Sequence, residues 1–188
     1  MTPSGKTALL FTTVGANDDL TVLTLSPPSF HTVHLREPIL AVFPAPDGQN
    51  AIVLYNVTAS GAGGAFGIVP LNSSVTAHQV SLPAPPTDVA FDPMSDRAIV
   101  SFRSDASSTY GLDLALMTSQ AVIQEPLASP PTAVGIVAGA ERGYAAQDFA
   151  EGRITFVDLY APDGGTSVAA RTITGFELGA RVVSGANP

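Results

Sequence analysis

An internal repeat of about 47 residues limits what this chain can fold into more than any other feature of it. Three segments carry the repeat: 39–57 (ILAVFPAPDGQNAIVLYNV), 87–103 (TDVAFDPMSDRAIVSFR) and 132–147 (TAVGIVAGAERGYAAQ). Each is an apolar run, a turn and a second apolar run. Units that recur at such a period cannot bury their apolar faces alone, so they stack and share a core. Both chain ends cut the repeat in mid-unit. Pro3-Ser4-Gly5-Lys6 reads as its turn, and 180–184 (ARVVS) as the first strand of a unit that does not continue.

Short runs rich in Val, Ile, Leu, Phe and Thr, bounded by turn residues, read as strands, and no window sustains a helical apolar period with caps. The pattern gives about sixteen strands and no helix. In the second unit they fall at 39–43, 51–56, 66–71 and 75–82, with Pro46-Asp47-Gly48 as the first turn. Proline presets the backbone angle at the second position of such a turn, and glycine accepts the positive φ that follows. The third unit gives 88–91, 98–103, 112–117 and 121–127, turning through Asp92-Pro93-Met94-Ser95-Asp96. The fourth gives 133–137, 143–147, 153–159 and 168–173, with Pro162-Asp163-Gly164-Gly165 in its last hairpin. The first has only three strands, 7–13, 20–25 and 30–35. Phe43, Phe91, Ile136 and Val182 or Val183 align as equivalent ends of first strands.

A unit of this length with four strands is the blade of a β-propeller. The expected fold class is therefore all-β, a β-propeller of four four-stranded blades whose first blade is completed by the C-terminal strand, beside residues 7–13. That closure removes the exposed backbone edges of an open stack. The alternative is an open four-blade fragment of a larger propeller. The expected domain is single, 1–188, with blades at 1–36 plus 178–184, 37–83, 84–128 and 129–177. Composition agrees: 45% hydrophobic and 13% charged residues, with 17 Gly and 16 Pro, is the profile of short strands joined by turns.

FPAPDGQNAIVLYNV, FDPMSDRAIVSFRS and PSGKTALLFTT resemble the YVTN-type, or WD40-like, β-propeller repeats common in bacterial exported proteins. In those an apolar run leads to a Pro-Asp-Gly-type turn and then a β-branched strand. Ala138-Gly139-Ala140-Glu141 and the alanine-rich strand after it depart from the pattern, and no unit has the Gly-His and Trp-Asp pairs of eukaryotic WD40 repeats. The resemblance implies a propeller scaffold and an extracytoplasmic location. Because the family is functionally diverse, it transfers no active site.

Net charge is −8, and the only lysine is Lys6. The arginines are scattered, which argues against nucleic acid, whose binding needs a dense basic surface. Without cysteine there is no disulfide, thiolate metal site or thiol nucleophile. The apolar stretch 8–11 is too short for a signal peptide, and no segment approaches the roughly 18–20 apolar residues of a membrane span.

Propellers carry function on the loops between the second and third strands of each blade. Here these are Gly15-Ala16-Asn17-Asp18-Asp19, 58–65, 104–109 and 148–152. Asp18, Asp19, Asp105, Asp148 and Glu151 are the candidate metal ligands among them, since hard carboxylate oxygens suit calcium or a cationic partner. No calcium-loop spacing is present, and turn acids commonly serve local hydrogen bonds instead. His31 and His34 fall three residues apart on a strand, hence on opposite faces, and His78 lies on an outermost strand. The loop Ser60-Gly61-Ala62-Gly63-Gly64 lacks the Lys-Ser/Thr and helix of a phosphate cradle, and no Gly-x-Ser-x-Gly or Ser-x-x-Lys supports acyl transfer.

The expected function is a non-enzymatic binding or scaffold module that presents propeller loops to a protein, peptide or glycan, with no cofactor. The alternative is a metal-dependent, lactonase-like hydrolase using a divalent cation, and a further one is a fragment of a larger propeller without independent function. If the ring does not close within one chain, the expectation is either a fragment of a larger propeller or half of a ring that a second copy completes as a homodimer.

Overall fold

The computed structural model describes residues 1–2, 5–15, 17–56, 63–72, 76–160 and 168–176. Among them the chain is all-β, with fifteen strands and a single turn of 3-10 helix at Ala138–Ala140. In the first unit of repeat these are β1 (Thr7–Leu10), β2 (Asp19–Leu25) and β3 (Pro28–His34). The second has β4 (Ile39–Pro44), β5 (Asn50–Tyr55), β6 (Gly64–Pro70) and β7 (His78–Leu82). The third has β8 (Pro86–Phe91), β9 (Arg97–Ser104), β10 (Thr109–Leu116) and β11 (Ala121–Pro126). The fourth has β12 (Pro131–Val137), β13 (Arg142–Gln147), β14 (Arg153–Asp158) and β15 (Ala170–Thr174).

Each repeat folds as one antiparallel meander in chain order, giving three four-stranded sheets and, from the first repeat, a three-stranded one among the described residues. The strand expected over 180–184, the Pro162-Asp163-Gly164-Gly165 turn, Pro3 and Ser4, and most of the loop 58–65 lie outside those residues. The chain divides into two compact units, Met1–Pro83 with the first two sheets and Ala84–Pro188 with the last two.

The repeat is written in the backbone hydrogen bonds. Thr2, Ala45 and Asp92 each open the turn before a second strand by donating N–H across it, to Thr7, Asn50 and Arg97. In turn each accepts at its carbonyl from Gly5, Gly48 and Ser95, and Ala138 accepts in the same way from Glu141. At the other end of the first strands the carbonyls of Pro38, Pro85 and Pro130 accept from Asn56, Arg103 and Asp148. Proline suits that position, the start of a strand, because no donor is required of it. Counted from the turns, Phe91 falls one residue outside the alignment with Phe43 and Ile136 expected from the repeat, whereas counted from the prolines it stays level with Ile136.

The acceptor turn needs a left-handed residue. Gly5 (φ 67°) and Gly48 (φ 71°) supply it in the first two repeats, Ser95 (φ 65°) and Glu141 (φ 52°) in the others. A side chain at that geometry costs about 1 kcal/mol. Glu141→Gly is therefore expected to raise the unfolding free energy by about 1 kcal/mol, read from the urea midpoint at unchanged slope.

Strand β1 stops at Leu10, short of the expected 13, because the Thr12 hydroxyl accepts from Val14 N (3.1 Å) and draws the chain into a local turn. In the first unit the core joins Leu20 and Val22 to Ile39, Val53, Tyr55 and Val69. In the second it joins Ile99, Leu112 and Leu114 to Val134, Ala145 and Val157. Asp88 adds a polar tie there: its carboxylate accepts from Val89 N (2.9 Å) and from Val134 N (3.2 Å), linking β8 to β12. No helix among the described residues is long and apolar enough to cross a membrane.

Candidate binding surface

The two units distribute the loop acids differently. In the first, Asp18 and Asp19 stand just before and at the start of β2. The Asp18 carbonyl accepts from Leu35 N (2.8 Å), and the Asn17 side chain caps Asp19 N (3.0 Å). The Asp19 carboxylate meets His34 Nδ1 at 2.5 Å, an exposed pair across the β2–β3 ladder. His31, three residues back, points to the other face as expected and is half-buried. Its Nε2 has no hydrogen-bond partner among the described residues. Along β3 and β7 a groove of about 280 Å³ is lined by His34, Arg36, Tyr55, Thr76, His78 and Gln79. Burial, then the charge of Glu37, pushes the Tyr55 phenol up to about 12, so it stays neutral and cannot serve as a base near neutrality.

In the second unit the β9–β10 turn and the β13–β14 loop bring Arg103, Asp105 and Asp148 together. Arg103 forks onto Asp105, Nε to Oδ1 at 2.8 Å and Nη2 to Oδ2 at 2.7 Å. The two residues sit two apart, on the same side of a strand end, which is why the fork closes locally. That pair holds the Asp105 carboxyl below the usual range, and the field of Asp148 also reaches Arg103. The carboxylates here surround a guanidinium that the fold itself supplies. Asp148 and Glu151 have exposed side chains. Within neither unit do three His, Asp or Glu come together in a group able to hold a metal ion, among the described residues.

Beside these acids stands a feature that the loop pattern does not reveal. The guanidinium of Arg153 lies over the Phe149 ring, 3.7 Å from its centroid. Behind it runs a chain of polar groups, buried at its centre. Arg153 Nη1 donates to Ser129 Oγ (3.1 Å), Ser129 Oγ to Gln147 Oε1 (3.1 Å), and Gln147 Nε2 to Thr155 Oγ1 (2.7 Å), which meets Thr172 Oγ1 at 2.8 Å. Ser129, Gln147 and Thr155 are each buried. A continuous run of hydrogen bonds through buried groups fixes rotamers, so the arginine is held rather than waving in solvent. Phe149 stays 38% exposed, a large apolar ring offered to solvent on a fixed cation. Arg153 has no carboxylate partner among the described residues. Its Nε is buried without a hydrogen bond there.

No protein-family model and no curated protein matches this sequence. Solved structures do. AztD from Citrobacter koseri, in its apo form, is similar at a TM-score of 0.60 and 15% identity, over 92% of this chain and 45% of that one. The β-propeller domain of Cps50 (Swd1) from Myceliophteria thermophila is similar at 0.55 and 12%, over 94% and 54%. TolB from Acinetobacter baumannii is similar at 0.51 and 11%, over 92% and 42%. The chain spans about half the length of these structures. At such identities the likeness carries the fold alone, and with the sheet meanders above it establishes that fold as a β-propeller.

Proposed function

We propose that this chain is a non-enzymatic binding module, of YVTN-type propeller plan and working outside the cytoplasm, whose loop surface takes up a peptide segment of a protein partner. The observation that carries the reading is Phe149 held under Arg153 with its ring open to solvent. Aromatic and arginine side chains fixed in advance lose little freedom on binding, and they dominate the energetics of protein recognition. Neighbouring acids fit the same purpose. Asp105 already carries its counter-charge in Arg103, so it serves as a specificity element at the rim rather than as an open metal ligand.

A random peptide library displayed on phage and selected on the full chain tests this. Selected peptides are expected to lose at least ten-fold in affinity for Phe149→Ala and for Arg153→Ala, a loss within the range of interface anchors. Peptides that bind both variants as tightly as the parent, or a selection that enriches nothing, would overturn the reading.

A further inference from the structure

At the opposite end of β9 from Arg103, the turn between β8 and β9 meets the residues that follow β14. Tyr160 Oη stands 3.0 Å from Asp92 Oδ2 and 2.9 Å from Asp96 Oδ1. Asp92 is only 5% exposed, and its Oδ2 also accepts from Met94 N (3.1 Å). Arg97 packs beneath the tyrosine ring, 5.0 Å from its centroid. It donates Nε to the Leu159 carbonyl (3.3 Å), and Nη1 to the Asp96 carbonyl (2.9 Å) and to Asp96 Oδ2 (3.4 Å). Asp158 faces the same region from β14, its Oδ1 accepting from Tyr160 N (3.2 Å). The charged groups around the phenol are thus Asp92, Asp96 and Asp158 against Arg97.

A phenol has one hydrogen to give. It satisfies one carboxylate; the second oxygen–oxygen contact needs another hydrogen, and only a protonated carboxyl can supply it. We propose that Asp92 and Asp96 hold one proton between them, completing a carboxyl–tyrosine–carboxyl clasp that ties the first turn of the third sheet to the end of β14 in the fourth. Loss of that proton opens the clasp. Burial pushes the Asp92 carboxyl up, the Tyr160 hydroxyl draws it down, and the facing Asp96 carboxyl pushes it up again. A raised acid contributes its stabilisation at low pH and loses it as pH climbs through the raised value, so the clasp is closed in acid and opens upward of the ordinary aspartate range. Two carboxyls this close titrate as a pair, not as separate groups.

Carboxyl-carbon NMR of the full chain, with amide exchange of Met94 and Tyr160, tests the proposal. In the parent protein the Asp92–Asp96 pair is expected to take up its first proton above the ordinary aspartate range. Protection of the Tyr160 amide, corrected for intrinsic exchange, is expected to fall at least ten-fold as that proton leaves, while Met94, whose N–H bonds the charged Asp92 carboxylate more strongly, does not follow it. Asp96→Asn supplies a permanent N–H donor and is expected to make the protection independent of pH. Tyr160→Phe removes the bridge and the hydroxyl that draws Asp92 down, so Asp92 is expected to stay raised while amide protection at position 160 stays low across the pH range. Should Tyr160→Phe fail to fold, Asp96→Asn decides alone. Two carboxyls that titrate in the ordinary range, or protection that keeps the parent's pH profile in Asp96→Asn, would overturn the clasp.

Discussion

Gly111→Ala lowers the unfolding free energy by about 3 kcal/mol, the upper part of the range for overpacking a core, and Gly135→Ala does the same. The reason is a ring laid across each glycine. Gly111 on β10 pairs directly with Phe102 on β9, and a methyl at 111 would stand 2.8 Å from Phe102 Cε2 and 2.9 Å from Cε1, and nearer still to Cζ. Gly135 on β12 pairs with Tyr144 on β13, where the methyl would stand 2.5 Å from Cζ and 2.6 Å from Cε1. Neither ring has room to swing away, since Phe102 is 2% and Tyr144 1% exposed. Urea titration gives the loss directly. Gly139→Ala is the control: a methyl there meets nothing within 4 Å, so its change stays within about 0.5 kcal/mol. A double variant joining Gly111→Ala to Phe102→Leu isolates the clash, because the smaller side chain at 102 makes the added methyl cheaper than it is in the parent background. Additive losses in that cycle would show that the ring contact is not the cause.

Much of the fold is legible in local chemistry. Pro46-Asp47-Gly48 folds as its residues require: Gly48 is left-handed, and the Asp47 carboxylate accepts from Gln49 N (2.9 Å). Runs such as AIVLY and RAIVSF lie in strands β5 and β9 because β-branched and aromatic side chains fit a pleated surface buried on both sides. Ala138-Gly139-Ala140-Glu141 carries no such signal. Its 3-10 turn keeps the hydrogen bond of the repeat while placing a glutamate where glycine would be at ease, and only the neighbouring strands can impose that.

The site is less legible, for a physical reason. Asp105 is a loop acid on sight, and its partner Arg103 lies only two residues away along the chain. Tyr160 and Asp92 are separated by 68 positions, and Ser129 and Gln147 by 18. Such contacts depend on the stacking of sheets and the register between strands, which a repeat of apolar runs does not encode. Phe149 and Arg153 form a candidate surface only because the chain of polar groups from Ser129 to Thr172 holds the arginine still.

Asp113→Asn stabilises the protein near neutral pH, and the gain disappears in acid. Residue 113 lies in the run LDLAL, where strand alternation puts an acid on the solvent side. The third sheet is buried on both faces there instead: Leu112 and Leu114 enter the core on one side, and Asp113 on the other is 1% exposed. Its carboxylate accepts from Gln124 Nε2 at 3.2 Å, on the paired residue of β11. Burial pushes the carboxyl up from 3.8 to about 6, and the glutamine draws it only partly back. An acid raised in the folded state favours folding while protonated, so the parent loses stability as pH rises from about 4 through about 6 and levels off above. The span between those values corresponds to about 3 kcal/mol. Asparagine reproduces the neutral acid in shape and can still bond Gln124, but has no proton to lose. Urea midpoints of the two proteins should therefore coincide near pH 4 and separate by up to about 3 kcal/mol at pH 7, with asparagine the more stable. A difference that is constant across this range would place the cost in packing, not in the buried charge.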